Sequence, residues 1–395
     1  MASMNDPPAP RTSILNNPLW RGLFWQILTL AVLVWLALQA FDNAVVNMRA
    51  RNIPTDFAFW NRPAGFDVNQ TLIPFSSSTS TYGQAFYVGL LNTLLVAAIG
   101  IVFATIIGFT VGIARLSSNW IVARLATVYV EVVRNTPLLL QLLFWYNAVL
   151  KSLPGPRESL ALPGSIYLNN RGLVLPEPVF GAGIEWALGA VALALLLAVV
   201  FAIWAQGEQR RTGARYHALP VAIGLLLVLG GGAWLANGSP LSFQAPVLRG
   251  FNFAGGVKVI PELVALVLGL SLYTASFIAE VVRAGVTAVP TGQTEAAQAL
   301  GLRRGDTLRL VVVPQALRII IPPLTNQYLN LLKNSSLAVF IGYPDLIQIF
   351  AGTVLNQTGA AVQVVSITMA VYLAISLVTS LAMNLYARRI SLRER

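Results

Sequence analysis

Two acid–base pairs of one spacing stand out in a chain that is otherwise poor in charge: Glu131 with Arg134, and Glu280 with Arg283. Residues three apart share a helix face, so each pair can close a local ion pair. Both pairs fall in or beside apolar stretches, where ionisable groups are expensive and face protein or water. Their expected role is structural or interfacial. No paired carboxylates, histidine cluster or activated nucleophile accompanies them, so no catalytic residue is expected. A second set is neutral. Asn92, Thr93, Gln141, Asn326 and Asn330 lie on apolar stretches, and Lys333 precedes Asn334-Ser335-Ser336. Amides both donate and accept hydrogen bonds, as recognition of a zwitterion requires. The same side chains also serve as glue between membrane helices. A substrate path, with Lys333 at its outer gate, and helix packing both stand for this set.

Other chemistry is excluded by composition. Cysteine is absent and there is one histidine, His217, beside Arg210, Arg211 and Arg215. Disulfides, thiolate metal sites, zinc and haem are ruled out, and His217 reads as a solvated loop residue. The three lysines are Lys151, Lys258 and Lys333, and none follows a glycine. The chain therefore has no Walker A loop to cradle a nucleotide.

The elements that carry these residues follow from hydropathy. Of 395 residues, 56% are apolar and 10% charged, against about 25% charged in soluble proteins. Mean hydropathy is +0.69. A cytosolic enzyme, a disordered chain and a coiled coil are excluded, which leaves an integral membrane protein. A membrane helix needs about 20 mostly apolar residues. Eight stretches qualify: Gly22–Phe41, Phe86–Ala114, Ala126–Leu150, Glu185–Ala205, Ala218–Ala236, Pro261–Val282, Pro314–Leu332 and Ala361–Tyr386. The first is too long for the core of a signal peptide and reads as an anchor. Pro322 and Pro323 are expected to break the seventh. In the second, Gly100, Ala104, Gly108 and Gly112 make a small-residue stripe. Such a stripe lets a neighbouring helix approach closely, or reflects the tolerance of membrane helices for glycine. The expected fold is an all-α integral membrane protein of about eight transmembrane helices.

The net charge of +11 arises from 26 basic and 15 acidic residues. In a membrane protein such an excess records topology, because cytoplasmic segments collect arginine and lysine. No nucleic acid is expected. With both termini inside, fifteen basic residues fall on the cytoplasmic side and nine outside, with Arg134 and Arg318 in spans. Acidic residues sharpen the contrast to +10 inside and +1 outside. Both ends are therefore expected in the cytoplasm. The outer segments 42–85 and 151–184 are rich in Pro, Gly, Asn and Ser and read as loops. Short capping structures and a docking surface for an outer partner both fit them.

One cytoplasmic loop is more specific. Thr294 suits an N-cap, Glu295 the positive start of a helix and Gly301 a left-handed C-cap. The short helix between carries Ala296, Ala297 and Ala299, and Asp306 can cap a second helix toward the membrane. A slim helix at the membrane surface fits a partner's groove, or simply connects two spans.

The order Glu295-Ala296-Ala297, three residues, Gly301, nine residues, Val311-Val312-Val313-Pro314 resembles the EAA loop of ABC-importer permeases. That pattern is Glu-Ala-Ala-x3-Gly-x9-Ile-x-Leu-Pro, from which Val311 and Val313 depart conservatively. Tyr129-Val-Glu-Val-Val-Arg-Asn-Thr-Pro-Leu-Leu-Leu-Gln141, Glu280-Val-Val-Arg-Ala-Gly and Leu329-Asn-Leu-Leu-Lys-Asn-Ser-Ser-Leu look like segments of the polar amino-acid uptake branch. The long layout resembles the general L-amino-acid permeases of Gram-negative bacteria.

The resemblance implies five core spans of an ABC type I importer permease. Residues 1–85 would be an anchor helix and outer loop, and 86–150 the first part of the core. Residues 151–260 would be an insertion with two extra helices, and 261–395 the second part with a coupling loop at 290–314. It implies a bacterial inner-membrane subunit that binds no cofactor itself. ATP and magnesium would sit on a separate ABC ATPase dimer gripping Glu295, Ala296, Ala297, Gly301 and Pro314. Further implied partners are a similar second permease and a periplasmic amino-acid-binding protein, with lipid around the spans. The rival class is a secondary transporter driven by an ion gradient, in which discontinuous helices are also common.

Overall fold

Apolar segments that leave water must satisfy their backbone groups internally, and helices do so within one segment. The computed structural model describes residues 18–50, 53–54, 56–214 and 216–390. Arg11, Arg51, Arg215, Arg393 and Arg395, used above to orient the spans, lie outside the described residues. In chain order the helices are α1 (Pro18–Ala50), α2 (Tyr82–Ala114), α3 (Trp120–Asn135) and α4 (Leu138–Leu143), the last running into a π-helical stretch, Phe144–Leu150. Next come α5 (Ile184–Thr212), α6 (Ala218–Leu225) and α7 (Gly232–Ala236), the last two joined by π-helical Leu226–Gly231. The C-terminal part holds α8 (Pro261–Thr287), α9 (Thr291–Ala299), α10 (Arg304–Thr307), α11 (Val313–Asn334), α12 (Leu355–Thr358) and α13 (Ala361–Ile390).

Seven helical stretches among the described residues are long and apolar enough to cross a membrane. The eighth expected span, Ala126–Leu150, is divided. Pro137 has no N–H to donate, and a residue before proline is pushed to extended backbone; Thr136 has φ −98° and ψ 130°. Only Leu138–Leu150 remains as a short apolar helix. The opposite happens at Pro322 and Pro323. Helix α11 runs through both instead of breaking. The prolines remove the donors for the carbonyls of Arg318 and Ile319, but Ala316, Ile320, Ile321 and Leu324 are buried on either side. That packing holds the helix on course.

The chain is also not wholly helical. Eight strands of three or four residues lie between Leu160 and Val259: β1 (Leu160–Leu162), β2 (Ile166–Asn169), β3 (Gly172–Leu175), β4 (Glu177–Phe180), β5 (Leu241–Gln244), β6 (Val247–Arg249), β7 (Asn252–Ala254) and β8 (Val257–Val259). They form an antiparallel sheet of order β1-β2-β3-β8 and two ribbons, β4-β5 and β6-β7. Tyr167 stacks on Phe253 at 4.6 Å between ring centres. The segment 151–184 is thus not a plain loop: its strands β3 and β4 pair with β8 and β5, which follow α7.

The chain folds as two compact units. In the first, Met1–Leu91 with Asp345–Leu377, a core of Phe59, Tyr82, Phe86, Ile349 and Phe350 is built on aromatic contacts, with Phe86 and Phe350 centred 5.2 Å apart. In the second, Asn92–Pro344 with Val378–Arg395, α8 is the central helix, packed on α11, α3 and α4. The small-residue stripe of α2 faces Leu331 of α11 at Gly100 and α8 at Gly108 and Gly112. A Cβ at Gly108 would lie 2.6 Å from Ile278 Cβ, and one at Gly112 would lie 2.8 Å from Val282 Cβ. Ala104 is fully buried.

Candidate functional site

The loop after α8 is built by one proline and one glycine. Pro290 (φ −58°) opens α9, since a missing N–H is harmless at a helix start. The helix therefore begins a turn earlier than a Thr294 cap would set it, and Thr294 lies inside. At the other end Gly301 has φ +79°. Its N–H donates to the Gln298 carbonyl at 2.9 Å, and the Leu302 N–H donates to that of Ala297 at 3.1 Å. This is the Schellman termination, which a residue without Cβ adopts freely. Ala297 is buried, whereas Glu295, Ala296 and Ala299 are exposed. Leu300, beside the turn, is 83% exposed. Asp306 does not cap the second helix; it lies within α10, whose N-cap is Arg303. Pro314 is the second residue of α11, and Gln315 Nε2 donates to Gln293 Oε1 at 3.3 Å, tying α9 to that helix.

Beside this loop, helix-end charges converge on one carboxylate. Glu280 Oε1 accepts from Arg283 Nη2 at 2.6 Å, as spacing alone allows. Its Oε2 accepts from Arg115, just beyond α2, and lies 3.8 Å from Arg134 Nη1 on α3. Arg134 also sits over the Phe277 ring at 5.0 Å. The expected Glu131–Arg134 pair is not formed: Glu131 is exposed, and no ion pair among the described residues reaches it. Four residues of three helix ends are thereby joined. Arg115 is the member that sequence reasoning missed, because it reads as an ordinary flanking arginine.

The neutral set divides. Asn92 and Thr93 are fully buried. Asn92 Nδ2 donates to the Pro344 carbonyl at 2.8 Å, and the Asn92 carbonyl accepts from Tyr343 Oη at 3.3 Å. Gln141 closes the break in the third span: its Nε2 donates to the carbonyls of Val133 and Thr136 at 2.8 and 3.0 Å. These are carbonyls that a helix end leaves without partners. The same residue borders a cavity of about 430 Å³ lined by Val133, Leu140, Phe144 and Leu272. Asn326, Asn330 and Lys333 are exposed, and their spacing sets them on one face of α11. Lys333 lies within α11 rather than beyond it, and Ser335 begins a tight helical turn, Ser335–Ile341. A second cavity of about 370 Å³ is lined by Arg134, Glu280, Ile319, Pro323 and Gln327. A larger apolar one, about 760 Å³, lies between Ile113, Val122, Val286, Leu308 and Leu317. Among the described residues, no group of three or more His, Cys, Asp or Glu side chains gathers to hold a metal. His217 is exposed at the start of α6.

Residues 218–392 match the family of binding-protein-dependent transport system inner membrane components. Over 383 residues, 97% of this chain and 95% of the relative, the sequence is 51% identical to the general L-amino acid transport system permease protein AapQ of Rhizobium johnstonii. It is 41% identical over 437 aligned positions, covering both chains completely, to the glutamate/glutamine/aspartate/asparagine transport system permease protein BztB of Rhodobacter capsulatus.

Proposed function

The chain belongs to the binding-protein-dependent inner membrane components of transport systems, and we propose that it is the transmembrane permease subunit of an ATP-driven importer of L-amino acids. The observation that carries this reading is the 51% identity to a general L-amino acid permease across 97% of the chain. It is a multi-pass inner-membrane transport subunit and not an enzyme; ATP is hydrolysed on a separate component. That component is an ATPase dimer holding ATP and magnesium, and it grips α9. The exposed Glu295 and Ala296 and the projecting Leu300 suit a groove, and Gly301 fixes the angle at which the chain leaves it. The tie from Gln293 to Gln315 gives movement of α9 a route to α11, and the ties from Glu280 to Arg115 and Arg134 carry movement of α8 to the end of α2 and the C-terminal end of α3. The spans then alternate their access between the two sides.

A similar second permease completes the path. The face of α11 bearing Asn326, Asn330 and Lys333 supports this, because polar side chains at membrane depth face water or protein. A periplasmic amino-acid-binding protein delivers the solute, and both termini face the cytoplasm. Asn92, Thr93 and Gln141 act chiefly as packing and capping groups around that path. Reconstitution in proteoliposomes with the ATPase, second permease and binding protein tests the reading. Accumulation of labelled L-amino acids should require ATP and stop with vanadate. Uptake by this chain without the ATPase, driven by an ion gradient, would overturn it.

A further inference from the structure

The ribbon β4-β5 has two unlike faces. Its register sets Pro178 against Phe243 and Phe180 against Leu241, with Glu177 against Gln244 and Val179 against Ser242 between them. Successive residues of a strand point to opposite sides. One side therefore carries Pro178, Phe180, Leu241 and Phe243, and the other carries Glu177, Ser242 and Gln244 around Val179. On the apolar side the two aromatic residues stand out, Phe180 65% and Phe243 66% exposed, beside half-buried Pro178 and Leu241. A lone two-stranded ribbon is only marginally stable in water and needs a surface to pack on.

The ribbon's position supplies one. Only Gly181–Gly183 separates β4 from α5, and only Asn237–Pro240 separates α7 from β5. Both helical stretches are apolar enough to span, so the ribbon stands where they leave the hydrocarbon. The two connections are joined to each other, the Gly181 N–H donating to the Pro240 carbonyl at 2.6 Å, and one is tied to α7, Asn237 Nδ2 donating to the Ala233 carbonyl at 2.7 Å. Trp186 and Leu235, on the terminal turns of α5 and α7 nearest the ribbon in sequence, are 77% and 75% exposed. Tryptophan at a span end marks the membrane interface.

We infer that the β4-β5 ribbon is an interfacial anchor, with Phe180 and Phe243 seated at the boundary between lipid headgroups and acyl chains. The occupant of its apolar face is phospholipid of the outer leaflet, and the anchor fixes the depth of the α5–α7 hairpin. It does not depend on the solute carried.

The absence of cysteine makes the test direct. Nitroxide labels are placed on Phe180→Cys, Phe243→Cys and, on the polar side, Ser242→Cys in the full chain. The protein is reconstituted in vesicles of phosphatidylethanolamine and phosphatidylglycerol. All three positions are exposed, so the substitutions leave the fold intact. Relaxation by oxygen relative to a water-soluble nickel chelate should be severalfold greater at 180 and 243 than at 242. Equal access of the chelate to all three would place the ribbon in water and overturn the inference. Labels at 180 and 243 shielded from both reagents would mean a protein occupant and overturn it as well.

Discussion

Arg134 Nη1 lies 3.8 Å from Glu280 Oε2, so a guanidinium on one helix serves a carboxylate on another. Two further arginines share that carboxylate, Arg115 and Arg283. The Glu280 side chain is 28% exposed and that of Arg115 12%. The cluster is sheltered enough for loss of its single acid to leave a poorly solvated positive charge.

Glu280→Gln should therefore destabilise the folded chain by about 1–3 kcal/mol, the range for stranding a partly buried partner. Glu131→Gln should stay within about 0.5 kcal/mol, as an exposed residue away from any network does. Thermal unfolding of both variants in lipid nanodiscs compares them. Equal shifts for the two would remove Glu280 from its central position.

Gly301→Val forces a β-branched residue into φ +79°, a left-handed conformation that costs L-residues roughly 1–2 kcal/mol. The turn after α9 should open while the spans stay folded. In the reconstituted importer the expected outcome is ATP hydrolysis that continues with little amino-acid uptake. Transport per ATP unchanged from wild type would show that the turn has no part in coupling.

Asp345 lies between the stretches that are long and apolar enough to span a membrane, after Arg304–Ile341 and before Ala361–Ala387, and is buried. Burial pushes its carboxyl up from 3.8 to about 7, although the Gln348 N–H donates to Oδ1 at 2.8 Å. Between about pH 4 and pH 7 the folded chain keeps a proton that the unfolded chain has lost. Stability falls as pH rises through that window and levels off above it. Asp345→Asn keeps an acceptor for Gln348 and removes the titration. Its unfolding temperature should thus decline less than that of wild type between pH 5 and pH 8. Parallel declines would assign the pH dependence to other groups.

Features set by local chemistry were legible in the sequence. Gly301 marks a helix stop because only its own backbone freedom is involved, and the long apolar runs mark spans because length and hydropathy suffice. Start positions were less so: Thr294 is a good cap by type, yet Pro290 upstream nucleates the same helix earlier. Proline alone was ambiguous. Thr136-Pro137 divides a span whereas Pro322-Pro323 does not, and the difference lies in tertiary packing, on α8 in the second case. Glu131 was paired wrongly for a related reason. Spacing reveals neighbours on one helix, but Arg134 answers to a carboxylate far along the chain. The strands were hidden twice over. Each is too short for a period of two to emerge, and β3 finds β8 only after α5–α7 has intervened. For the candidate site, the loop and the Glu280–Arg283 pair were therefore visible, and the reach of Glu280 to Arg115 and Arg134 was not.

The antiparallel match of Leu173 with Val259 has a consequence for how the chain is assembled. The long excursion between these residues departs and returns at adjoining points, closed by a strand pair like the neck of a drawstring bag. With its ends already joined, the entropy of closing this detour changes only slowly with its length, so changes of length within it are expected to leave the start of α8 in place.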